Sequence, residues 1–91
     1  MSEKIWSVVL LRAARKSLER METPVYERIL DHLQQLAALN NPLRHRDVRA
    51  LGGRLLGLYR FRIGDYRVVF ELESGSMEIA VHGIAPRGSA Y

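Results

Sequence analysis

Arg60, Arg62 and Arg67 flank Gly64-Asp65 in the run Tyr59-Arg60-Phe61-Arg62-Ile63-Gly64-Asp65-Tyr66-Arg67. Guanidinium groups present planar, forked donors that suit phosphate and carboxylate oxygens. Glycine first in a two-residue turn favours a type II′ hairpin. That register sets Ile63 opposite Tyr66, Phe61 opposite Val68 and Tyr59 opposite Phe70 on an apolar face. The other face then pairs Arg62 with Arg67 and Arg60 with Val69. A second hairpin closed tightly around Ser74-Gly75 predicts core pairs Leu72 with Met77, Phe70 with Ile79 and Val68 with Val81. Its outer pairs are Arg67 with His82, Val69 with Ala80 and Glu71 with Glu78. Like charges directly opposed across strands are destabilising, so Arg60, Arg62 and Arg67 on one face point to a bound anion. The alternative is a solvated face whose arginines splay apart and pair with Glu71 or Glu73. His82 beside Arg67 would be held as the neutral imidazole. It could then act as general base or be purely structural.

These residues need elements to position them. Trp6 to Leu11 is apolar and β-branched, which predicts a strand buried on both faces. Ala14, Leu18 and Met21 have helical spacing within Arg12 to Met21. Thr23-Pro24 predicts a helix start, with Thr23 as cap. Val25, Ile29, Leu33 and Leu36 carry that helix to about Leu39, before Asn40-Asn41-Pro42. Pro42 to Gly53 is a basic connector in which Val48 and Leu51 suggest a short helical turn. Strands Leu55–Ile63, Tyr66–Glu73 and Ser76–Ala85 follow. The predicted fold is α+β, ordered β-α-α-β-β-β, with two N-terminal helices on one face of a largely antiparallel sheet.

Composition narrows the chemistry. A chain of 91 residues is expected to form a single domain over 1–91, burying roughly 60–65% of the surface its unfolded form exposes. Cysteine is absent, which excludes a disulfide framework, a thiol nucleophile and Cys-ligated metal. His32, His45 and His82 are not spaced as a metal site, and no metal or cofactor is expected. The longest apolar run, Val8 to Leu11, is too short to span a bilayer. The start lacks a signal-peptide pattern, so a cytoplasmic protein without membrane contact is expected. Twelve of the 14 basic residues are arginine. A GC-rich genome would explain that bulk preference, but not its placement. Residues 1–43 carry a charge difference of +1, residues 44–67 of +5 and residues 68–91 of −2. The excess lies in Arg44, Arg46, Arg49 and Arg54 of the connector and in the hairpin arginines.

The run from Leu51-Gly52-Gly53 through Gly57-Leu58-Tyr59-Arg60-Phe61-Arg62-Ile63-Gly64-Asp65-Tyr66-Arg67-Val68-Val69-Phe70 resembles the RelE/ParE toxin superfamily of toxin–antitoxin modules. Its pattern is a Leu-x-Gly turn followed by a YR-x-R-x-G-x-YR hairpin. The ending Ile84 to Tyr91 is similar to the family's closing strand and R-x-x-x-Y tail. The resemblance implies a toxin neutralised by a cognate antitoxin protein. Its RelE branch implies a ribosome-dependent, metal-independent messenger-RNA endonuclease, in which a 2′-hydroxyl attacks the adjacent phosphate. Arg60, Arg62, Arg67 and Arg87 would then contact phosphate, and Tyr91 would transfer a proton or stack on a base. Arg44, Arg46, Arg49 and Arg54 would contact RNA on the ribosome. Arginine is effectively never deprotonated, and Pro86 stands where many relatives carry histidine. Tyr91 and His82 therefore remain as candidate general bases. The ParE branch implies instead a non-nucleolytic inhibitor of DNA gyrase.

Overall fold

The computed structural model describes residues 5–87. Strand β1 (Ser7–Leu10) leads into helices α1 (Arg12–Glu19) and α2 (Thr23–Ala37). Strands β2 (Val48–Ala50), β3 (Tyr59–Ile63), β4 (Tyr66–Glu73) and β5 (Glu78–Pro86) follow, with short 3-10 turns at Pro42–Arg44 and Gly53–Leu55. The five strands form one sheet in the order β1-β5-β4-β3-β2. All its pairings are antiparallel except β1 with β5.

The predicted α+β arrangement is the observed one, with one strand added. Val48 begins β2, which pairs with β3, rather than a helical turn. The three residues of β2 are too few to show a strand period. β1 is also less covered than its sequence suggested. It lies at the sheet edge, with Ser7 exposed and Val8, Val9 and Leu10 half-buried. Thr23 falls inside α2, whose N-cap is Glu22 without a side-chain bond. Pro24 occupies the first turn, where its missing N–H leaves no broken helix bond.

The core lies between the helices and one sheet face. Ala14 and Leu18 of α1 and Ile29, Leu33 and Leu36 of α2 pack with Phe61, Val68, Phe70, Ile79, Val81 and Ile84. Trp6 closes one margin, its indole N–H donating to the Asn40 carbonyl at 3.3 Å. Tyr59 and Tyr66 pack on this core half-buried, and the Tyr59 and Phe70 rings lie 5.7 Å apart.

The first hairpin has the predicted register, from Ile63–Tyr66 to Tyr59–Phe70. Gly64 has φ +57 while Asp65 is not in the positive-φ region, as a type II′ turn requires. The second hairpin corrects the predicted one. Its loop is the four residues Ser74–Met77, flanked by the pair Glu73–Glu78. Met77 adopts φ 56 and is exposed, so it does not face Leu72 in the core. Leu72 faces Ile79, Phe70 faces Val81, and Glu71 faces Ala80. A shift of two residues preserves which side chains face inward, so Ile79 and Val81 remain core residues. A bulge then intervenes between Val69 and Phe70, and Val68 pairs with Ile84 and Arg67 with Ala85. His82 is the extra residue of that bulge, and Arg67 does not face it.

Candidate functional site

The sheet face opposite the helices gathers four arginines. Arg62 stands directly opposite Arg67, and Arg60 opposite Val69. On its other side Arg60 faces Arg49 of β2. Arg49 was expected to act with the connector, but β2 carries it to the sheet. Two like-charged cross-strand pairs thus lie side by side. Arg49 Nη1 donates to the carbonyls of Arg46 and Val48 at 3.0 and 3.1 Å, which fixes its guanidinium. Val69 is fully buried yet separate from the helix-facing core. The stems of its outer-face neighbours, Arg60 opposite and Arg67 two residues away, must cover it.

Among the described residues no carboxylate lies within 4.0 Å of these arginines, and the one pair within that distance is His82 with Glu71. No arginine pairs with Glu71 or Glu73 among the described residues, while Arg62 and Arg87 are exposed to solvent. Burial, followed by the charges of Arg62, Arg67 and Arg49, holds Arg60 below the usual arginine range, with Asp47 opposing. Arginine stays protonated regardless, and the part of the depression that comes from Arg62, Arg67 and Arg49 registers a positive potential that an anion would relieve. Arg60 Nε is shielded from solvent and has no hydrogen-bond partner. A buried donor left unsatisfied costs about 1–3 kcal/mol.

Arg60, Arg62, Gly64, Tyr66, Arg67 and Arg87 line a cleft of ≈ 40 Å³. Arg87 reaches it because its backbone N–H bonds the Asp65 carbonyl at 2.6 Å, tying the end of β5 to the β3–β4 turn. Residues distant in sequence thus converge on one small, cationic cleft. Tyr91 lies outside the described residues.

The rest of the basic connector disperses. Arg44 and Arg46 line a separate open groove of ≈ 550 Å³ with Leu39, Asn40, Asn41 and His45, beyond the end of α2. Arg54 sits exposed in the second 3-10 turn. His45 is structural. Its Nδ1 accepts from the Asp47 N–H at 3.0 Å, and its ring meets Phe61 edge-on at 5.0 Å.

Residues 8–91 match the family of ParE toxins of type II toxin–antitoxin systems, parDE. The chain belongs to this toxin family. It is 30% identical over 86 residues to Toxin RelE of Mycobacterium tuberculosis, a match covering 94% of this chain and 86% of that protein. The toxin–antitoxin complex RelBE2 of the same organism contains a chain of the same fold, with TM-score 0.81 at 18% identity, covering 94% of this chain and 95% of that one. The archaeal RelE–RelB complex of Pyrococcus horikoshii gives TM-score 0.75 at 30% identity, covering 94% and 99%. The RelE/ParE resemblance read from the hairpin motif is therefore correct.

In this toxin His82 belongs to an acidic corner rather than to the arginine cleft. Its Nε2 lies 3.1 Å from Glu71 Oε1. Glu71 is held below the usual carboxylate range by its hydrogen bonds with Glu73 and then His82. The same Glu71–Glu73 bond, with the nearby charges of Glu71 and Glu78, raises Glu73. The two carboxyls therefore act oppositely on stability. The depressed Glu71 contributes above its unfolded midpoint, and that contribution is lost as pH falls through its folded midpoint. The raised Glu73 contributes below its unfolded midpoint and loses this as pH rises through its folded one. Carboxyl carbon NMR titration should find Glu71 below and Glu73 above the ordinary range. His82→Ala should move Glu71 upward. An unmoved Glu71 midpoint would show that the imidazole does not hold it.

Proposed function

We propose that residues 1–91 act as one toxin domain, a ribosome-dependent messenger-RNA endonuclease that requires no metal or cofactor. The observation supporting this reading is the cleft of Arg60, Arg62, Arg67 and Arg87, without a paired carboxylate among the described residues and with Arg49 beside Arg60. In such a reaction the ribose 2′-oxygen forms a bond to the adjacent phosphorus, and the bond to the 5′-oxygen breaks. Negative charge accumulates on the phosphoryl oxygens, where fixed cations stabilise the transition state. Arg62 and Arg67 have the placement to grip those oxygens from opposite strands. Arg60 adds its charge beside them, and Arg87 closes the rim.

Proton transfer needs another group. Of the two candidates, His82 is engaged with Glu71 and sits three residues along β5 from the partner of Arg67. That separation is roughly 10 Å, which favours Tyr91 as the group that takes or returns the proton. Tyr91 is four residues beyond Arg87, a chain length that spans at most about 14 Å. Arg44, Arg46 and Arg54 contribute sequence-independent attraction to ribosomal RNA.

The partner that silences the toxin is a cognate antitoxin, as in the RelE–RelB complex of Pyrococcus horikoshii. An acidic or amphipathic segment suits the basic face. The ParE family match supports a second reading, inhibition of DNA gyrase by binding alone. Incubation of the purified toxin with gyrase and with translating ribosomes separates the two. Cleaved message with unaffected supercoiling is expected, whereas trapped gyrase cleavage complexes with intact message would establish the second reading.

A further inference from the structure

Arg28 of α2 belongs by sequence among arginines that genomic composition explains, on an exposed helix surface. The fold gives it a different position. A Cβ placed on Gly64 would fall 2.6 Å from Arg28 Nη2, 2.9 Å from Cζ and 3.0 Å from Nη1. The Arg28 guanidinium therefore packs directly against Gly64 in the β3–β4 turn. Gly64 itself lines the arginine cleft. The absence of a side chain at residue 64 therefore serves the turn and also admits a cation from the helix layer to the rim.

The position is not explained by ion pairing. Arg28 has no carboxylate within 4.0 Å among the described residues. Asp31, one helical turn away, instead accepts from Gln35 Nε2 at 3.0 Å. Arg28 thus adds a positive charge against the turn whose Gly64 lines the arginine cleft. We propose that Arg28 is a further RNA contact, holding the backbone phosphate next to the scissile one as the strand leaves the cleft over the β3–β4 turn. This rests on the nuclease reading above.

The test is the salt dependence of binding to a labelled, fully 2′-O-methylated oligoribonucleotide, which cannot be cleaved. Arg28→Met keeps the stem against the turn and removes the charge, while Arg28→Lys keeps the charge. Arg62→Ala serves as the cleft control. Each phosphate contact on single strands contributes about 0.7 to the log–log salt slope. Arg28→Met should lower the slope by about that amount and weaken binding several-fold at low salt. Arg28→Lys should restore the slope. If Arg62→Ala lowers the slope and Arg28→Met leaves it at the wild-type value, Arg28 contributes only packing and the proposal is wrong. If the wild-type protein shows no salt dependence, the nuclease reading and the Arg28 contact fall together.

Discussion

Arg67→Thr should make the toxin more stable and nearly inactive. Arg67 opposes Arg62 across β3 and β4, and replacing one of two like charges with a strand-favouring residue removes a repulsion of about 0.2–1 kcal/mol. For a domain of this size that corresponds to a Tm higher by about one to several degrees. If the toxin is the nuclease proposed above, the same substitution removes a cation that meets the developing phosphoryl charge, and cleavage should fall about 100- to 1,000-fold. Arg62→Ala should lose as much activity with Tm little changed. Thermal denaturation and single-turnover cleavage measure the two halves. A lower Tm for Arg67→Thr would mean that the cover its stem gives Val69 outweighs the relieved repulsion.

Phe70→Ala should bring the protein close to unfolding. Phe70 is fully buried at the centre of β4. It faces Tyr59 on one neighbouring strand and Val81 on the other. Truncating such a ring costs about 3–5 kcal/mol through lost transfer energy and the cavity left behind. Domains of this kind have about 5–15 kcal/mol in total. Tm should fall by at least about 12 °C, read by circular dichroism. A shift of only a few degrees would show that the core collapses around the gap. Activity at low temperature should survive in whatever fraction stays folded, since Phe70 faces away from the arginines.

The first hairpin was legible because every local signal agreed. Gly64-Asp65 specified the turn, and alternation placed Phe61 and Phe70 inward and Arg62 and Arg67 outward. The second hairpin was not, because Ser74-Gly75-Ser76-Met77 fits both a two-residue and a four-residue loop. Only tertiary context puts Met77 at φ 56. The resulting two-residue error left the core intact, but the bulge at His82 changed the chemistry. It moved the imidazole from an expected arginine neighbour to Glu71. β2 was invisible for another reason. Val48-Arg49-Ala50 has almost no period of its own, and its identity as a strand comes from pairing with β3. That pairing is what brings Arg49 to Arg60. Arg28 illustrates the same limit, since a helix-surface arginine and one lying on a distant turn look alike in sequence. The family resemblance is carried by the first hairpin, whose register depends on none of these features.

If the arginine cleft holds the message while its backbone is cut, transcript 5′ ends mapped on translating ribosomes will differ between purified wild-type toxin and Arg62→Ala/Arg67→Thr. New 5′ ends with the wild type, absent from the double variant although it remains folded, are the predicted result. No new ends with the wild type, or equal cleavage by the two proteins, would contradict that role for the cleft.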